Sequence, residues 1–151
     1  MNIARVKVVS ITSTKANAGS DFYSNFLVTI DGEIYGAAEL ALAGANGQQK
    51  VHIVSLRNPV DVSKFSNQSF SFNIDDGGNP NDFWLPKSIY VLGTQTTSGD
   101  NSQDWVLLGG VANWPDFLWV GIKPVNSTSA LIPPCQRELG QSARHCLMVH
   151  L

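Results

Sequence analysis

Apolar and polar residues alternate with a period of two through most of the chain, and the spacing of an amphipathic helix is nearly absent. Val6 and Val8 alternate with Arg5 and Lys7, which predicts a first strand ending before the turn-forming run 14–20. Segments 22–30 and 33–42 flank Asp31-Gly32, and both of those residues tolerate positive φ, so a two-residue hairpin is expected there. Gly44-Ala45-Asn46-Gly47 breaks the chain before a strand at 51–56, and Asn58-Pro59 reads as the next turn. Phe70, Phe72 and Ile74 alternate with Ser69, Ser71 and Asn73, the pattern of a strand with one buried and one wet face. Further strands are expected at 83–92, 104–111 and 117–122. About eight short strands separated by turn signals predict an all-β fold, an antiparallel β-sandwich.

Two segments depart from this pattern. Residues 37–43 have helical propensity but directly follow a hairpin strand and have no cap, so strand and short helix both remain open. After Pro133-Pro134 the composition loses its β-branched residues, and residues 133–151 read as a short terminal helix or a frayed tail. The expected organisation is a sandwich over 1–132 with a C-terminal appendage over 133–151.

The chain has 151 residues, enough for one domain with its own core, and 43% hydrophobic against 15% charged residues marks it as globular. Its formal net charge of −2 gives no basic excess, which argues against a nucleic-acid partner. No apolar run is long enough to span a membrane. The N-terminus reads as a strand, not a signal peptide, so cytoplasmic residence, leaderless secretion, or a mature domain with an added Met is expected. With only Cys135 and Cys146 present, no disulfide framework supports the body of the protein.

Candidate chemistry concentrates on the loop 75–82. Asp75, Asp76, Asn79, Asn81 and Asp82 bring carboxylate and amide oxygens together on a segment broken by Gly77, Gly78 and Pro80. Hard cations such as calcium take six to eight oxygen ligands, so this loop is a candidate metal site. The same residues are common turn formers, so an ordinary polar turn is the competing reading. The spacing does not fit an EF-hand. Asp21, in Ala18-Gly19-Ser20-Asp21, is a candidate second source of carboxylate.

Residues 16–21, followed by Phe26-Leu27-Val28-Thr29-Ile30-Asp31-Gly32, resemble the segment that opens PLAT domains, the β-sandwich modules of lipoxygenases, pancreatic-type lipases, polycystins and clostridial alpha-toxin. The run 75–85 with Ile89 and Val91 resembles that family's acidic loop and the Trp-x-x-x-x-Ile-x-Val strand after it. An additional Phe22-Tyr23-Ser24-Asn25 precedes the first strand, and the family's middle Phe-x-x-Gly-x-x-Asp segment has no clear counterpart. The resemblance implies two packed four-stranded sheets, calcium at the loop edge, and docking to a membrane lipid surface or a protein partner. It implies Gly19, Asp21, Asp75 and Asn79 as loop ligands.

Aromatic residues form the second candidate surface. Trp84 and Trp105 stand in strand contexts and are expected in the core. Trp114-Pro115-Asp116-Phe117 reads as a turn presenting aromatics, which makes Trp114, Phe117 and Trp119 candidate ligand-binding residues for lipid, partner or sugar. A structural role for Trp114 is equally open.

No nucleophile elbow, Walker loop, dinucleotide fingerprint or His-Glu-x-x-His motif is present, so no enzymatic activity is expected. His52 reads as structural. Cys135, His145, Cys146 and His150 match no common zinc spacing, and pairing of the two cysteines would require a non-helical tail. Asn67-Gln68-Ser69 and Asn126-Ser127-Thr128 match the glycosylation triplet. The expected function is a non-catalytic, PLAT-like, calcium-loading binding module. A lectin-like glycan-binding sandwich and a structural, oligomer-forming subunit are the competing readings.

Overall fold

In the computed structural model, residues 1–74, 83–95, 104–121 and 130–131 are described. Among the described residues, ten strands run β1 (Asn2–Thr12), β2 (Ser24–Ile30), β3 (Glu33–Leu40), β4 (Gln49–Asp61), β5 (Phe70–Ile74), β6 (Phe83–Trp84), β7 (Pro86–Thr94), β8 (Val106–Val111), β9 (Val120–Gly121) and β10 (Ala130–Leu131). One sheet has the order β4-β1-β7-β8, the second β10-β5-β2-β3, and β6 pairs with β9 in a short ribbon. Every pairing is antiparallel. The all-β sandwich expected from the alternation is therefore the observed architecture.

The core lies between the two four-stranded sheets. From β1 it takes Val6 and Val8, from β2 Phe26 and Val28, from β5 Phe70 and Phe72, and from β7 Ile89 and Val91, all buried. The rings of Phe26 and Phe70 stack within this layer, and the half-buried Phe65 stacks on Phe70 from its border.

Asp31-Gly32 forms the expected hairpin, with φ of 51° and 84° at the two turn positions. Both values lie in the left-handed region, as a two-residue turn matched to strand twist requires. Residues 33–40 are strand, and pairing with β2 overrides the helical propensity of Ala37-Ala38-Glu39-Leu40. Asn58-Pro59 is not a turn. Strand β4 continues through it to Asp61, and the pairing jumps from Arg5↔Ser55 to Ile3↔Val60. The additional residues bulge out of the edge strand, where a proline without an N–H breaks no ladder bond.

Asn67 explains one of the two glycosylation triplets. Only 1% of it is exposed. Its side-chain amide accepts from Gly110 N–H at 3.0 Å and donates to Gly110 C=O at 3.1 Å, which clamps β8 to the turn before β5. Gly110 has φ +152°, and a Cβ there would lie 2.4 Å from Ile89 O. Gly110 is in register with Tyr90 of β7, and β8 is the last strand of its sheet, so the clamp satisfies backbone groups on the edge that no further strand pairs. The second triplet, at Asn126, lies outside the described residues, as do the appendage 133–151, Cys135, His145, Cys146 and His150.

Replacing Asn67 with Ala leaves two buried backbone groups unpaired. It is expected to lower the unfolding free energy by about 2–4 kcal/mol, read from the urea midpoint.

Candidate functional site

Strand directions decide what meets at each end of the sandwich. Thr12 closes β1 opposite Pro86 at the start of β7. Ser24, the first residue of β2, pairs with Ile74, the last of β5. The connections 13–23 and 41–48, both ends of the segment 75–82, and the loop 112–119 therefore share one rim. The hairpin 31–32 lies at the other.

This rim is cross-tied by the main chain. Thr12 N–H donates to Gln48 C=O, Ser13 N–H to Leu85 C=O, Leu85 N–H to Ala18 C=O, Ser20 N–H to Gly44 C=O and Gly47 N–H to Ser13 C=O. Asn46 locks the turn further, its Oδ1 accepting from Gly19 N–H at 2.8 Å and its Nδ2 donating to Lys15 C=O at 3.0 Å. A Cβ on Gly19 would come 2.9 Å from Gly44 O, so only glycine passes this closely.

Trp84 anchors the rim to the core. Its indole is fully buried and its Nε1–H donates to Thr12 Oγ1 at 2.9 Å. Phe22 and Phe72 meet it edge-on, at centroid separations of 6.3 and 6.1 Å. Trp84 is thus a core residue, as its strand context predicts.

The acidic candidates Asp75, Asp76, Asn79, Asn81 and Asp82 lie outside the described residues, but both attachments of their segment are described. One is Ile74, paired with Ser24. The other is the Phe83–Trp84 strand, where Trp84 packs on Phe22 and Leu85 bonds to Ala18. Gly19 and Asp21 belong to the same connection as Ala18 and Phe22, and Asp21 is exposed. The oxygen of Ser24, at the anchoring rung, is buried without a hydrogen-bond partner. Among the described residues no cluster of three metal-ligating side chains occurs. The donors offered here are all oxygens, the type a hard cation takes.

The aromatic candidates separate into two kinds. Trp114 is only 6% exposed and packs 6.4 Å from Phe72, so the expectation of an exposed ring at this position is corrected. Its N–H donates to Leu118 C=O at 2.8 Å and closes the loop on itself. The turn-forming neighbours reverse the chain, but the indole points inward. Phe117 is 70% exposed, and Leu118 beside it is also exposed. Trp119 is half-buried against the core, with Lys15 Nζ 5.9 Å from its ring centre. Lys15 also donates to Asp116 C=O at 3.4 Å, tying this loop to the connection 13–23.

Sequence reasoning missed Tyr23, and it counted Phe83 among the aromatics of the second half without singling it out as a binding residue. Both are exposed at this rim, so four of the seven large exposed hydrophobics among the described residues lie here: Tyr23, Phe83, Phe117 and Leu118. Their signal in the sequence was an apolar residue breaking the alternation beside a turn. Trp105 is corrected as well. It lies on the outer face of the first sheet, with Lys7 Nζ 4.1 Å from its ring centre.

Charge is distributed unevenly between the rims. All three ion pairs found among the described residues lie at the far end: Lys64–Asp31, Arg57–Glu33 and the N-terminus with Asp61. There the hydrogen bond from Lys64 to Asp31 raises the Lys64 pKa, and bonds from the hydroxyl and amide of Ser63 lower that of Asp61. At the candidate rim, Lys15, Asp21, Lys87 and Asp116 enter no such pair among the described residues.

No family model matches the sequence, and no curated protein sequence matches it. The fold does match solved structures. The alpha-toxin of Clostridium absonum aligns with a TM-score of 0.52 at 18% identity, over 81% of this chain and 32% of the toxin. The Clostridium perfringens alpha-toxin isolated from avian strain SWCP aligns with a TM-score of 0.52 at 17% identity, over 71% of this chain and 30% of the toxin. The chain spans about a third of the toxins it matches. The PLAT-type resemblance, which includes clostridial alpha-toxin, is thus supported at the level of fold.

The two kinds of aromatic residue should separate by stability. Trp114→Ala is expected to cost about 3–5 kcal/mol in chemical unfolding, and Phe117→Ala to stay within about 0.5 kcal/mol of the parent.

Proposed function

We propose that this domain is a non-catalytic binding module that docks a membrane surface through the rim holding Tyr23, Phe83, Phe117 and Leu118. The observation that carries this reading is the exposed Phe117-Leu118 tip on a loop stiffened from beneath by Trp114 and held sideways by Lys15. Leaving such side chains in water is costly, and burying them in the acyl boundary recovers that cost. A stiff loop loses little conformational entropy on insertion.

Calcium is part of the proposal. Asp21 and the segment 75–82 would supply its oxygen ligands, and the anchoring of that segment at Ser24 and at Ala18 supports a shared site. By sequence, the connections and strand ends at this rim carry Asp21, Asp75, Asp76, Asp82 and Asp116 against Lys15, Lys50 and Lys87. This excess of carboxylate would repel an anionic headgroup, and a bound divalent cation would offset it. The glycan reading loses one of its two stacking rings, because Trp114 is buried while Trp119 is half-buried.

Two measurements test the proposal. In sedimentation with phosphatidylcholine–phosphatidylserine vesicles, the chain should bind with calcium present and be released by chelator. Phe117→Ser with Leu118→Ser should weaken binding by roughly tenfold or more. Binding that survives the double substitution would reject this rim as the docking element. In calorimetry, calcium should give heat with the parent and none with Asp75→Ala plus Asp76→Ala; equal heats, or none with either protein, would reject the cation site.

A further inference from the structure

The outer faces of the two sheets differ in chemistry. On the second sheet, β2 and β3 present Asn25 opposite Glu39 and Leu27 opposite Ala37, and the pairing of β2 with β5 sets Ser71 beside Leu27, a mixed surface suited to water. On the first sheet the same ladder logic places Val9 between Val51 and Tyr90, and Lys7 between Ile53 and Leu92, with Ile11 next along β1. Their alternates Val6, Val8, Ile89 and Val91 fill the core, so these residues face outward. Six apolar side chains on three adjacent strands thus form one continuous outer surface. None of the six belongs to the core cluster or packs on it, and Val51 is 48% exposed. Scattered surface hydrophobics need no explanation, but a contiguous band on a flat sheet does.

Lys7 stands on the central strand at one end of this band, next to the row of Ser55, Arg5 and Thr94. Its stem lies among Ile53 and Leu92, its Nζ is 4.1 Å from the ring centre of Trp105, and Arg5 approaches the same ring at 5.7 Å. No Asp or Glu occupies the register positions around it on β4, β1 or β7. Lys7 enters none of the ion pairs found among the described residues. A partner covering the band would desolvate this ammonium, which is unfavourable unless an opposite charge is supplied. A second copy would bring another Lys7 to the same place, so self-pairing is disfavoured. Lipid is disfavoured by shape, since these side chains lie within a sheet face and do not project from a loop. In both toxin structures the matched fold makes up about a third of a longer chain, so it is carried there beside further protein.

We infer that the outer face of the β4-β1-β7 layer is a docking surface for a protein partner whose apolar contact face carries a carboxylate opposite Lys7. This surface is separate from the rim. Rim variants should leave it intact, and its own variants should leave vesicle binding intact.

The full chain, immobilised, is panned against a phage-displayed library of short random peptides, and the enriched peptides are resynthesised as the probe. The expected peptides combine aliphatic residues with one Asp or Glu. Their affinity should fall roughly tenfold or more for Lys7→Glu and for Val51→Lys, and recover on Lys7→Glu when the peptide's acid is changed to Lys. Val51 is exposed, so Val51→Lys tests the surface without threatening the fold. Failure to enrich such peptides, or binding indifferent to both substitutions, would overturn the proposal. So would self-association in sedimentation velocity that is lost with Val51→Lys, or vesicle binding that is lost with Lys7→Glu.

Discussion

The contact between the Trp84 indole and Thr12 holds the two halves of the rim together. The sandwich core would close without that hydrogen bond, since aliphatic and aromatic residues supply its burial. The rim has no such reserve. Trp84 N–H reaches the last residue of β1, its ring receives Phe22 from the connection 13–23 and Phe72 from β5, and the next residue bonds to Ala18. Segments far apart in sequence are thereby fixed against one another by one buried side chain. A donor that must be satisfied, on a ring too large to be accommodated elsewhere, orients better than an aliphatic group of similar volume.

The rim is therefore stiff where it meets the core and exposes apolar groups where it meets solvent. Trp114 repeats the arrangement on the neighbouring loop, with its ring inward, its N–H spent on the loop's own carbonyl, and Phe117 outward. At the opposite end, among the described residues, Lys64–Asp31 and Arg57–Glu33 pair their charges and Asp31-Gly32 makes a tight hairpin. The two ends thus differ in chemistry along the strand axis, and the sheet face around Lys7 differs from both.

Much of the fold was legible in the sequence because local signals and tertiary structure agreed. Alternation at Val6, Val8, Phe70 and Phe72 marked the core faces, and Asp31-Gly32 allowed only a tight hairpin. Local signals failed where pairing outweighed them. Ala37-Ala38-Glu39-Leu40 has the composition of a helix, yet hydrogen bonding to β2 makes it a strand. Asn58-Pro59 has the composition of a turn, yet an edge strand can carry it as a bulge. The site was less legible. Turn formers around Trp114 indicated where the chain reverses but not which way the indole points, and the exposure of Tyr23 and Phe83 depends on a rim that only the assembled topology defines. The adjacency of Ser24 and Ile74 depends on β2 and β5 pairing across two intervening strands, a long-range fact to which the family resemblance pointed and which no local spacing encodes.

The irregular stretch of β4 has one more consequence. β4 forms one border of its sheet, and a border of unpaired amides invites a foreign chain to add itself as the next strand. Between Ser55 and Val60 that border leaves its partner's register, carries a proline and displays Arg57 and Asn58 to solvent. An incoming strand would find a continuous row only from Gln49 to Ser55 and none beyond it. The irregular stretch thus limits how far a foreign strand could extend along the border beside the apolar face of this sheet.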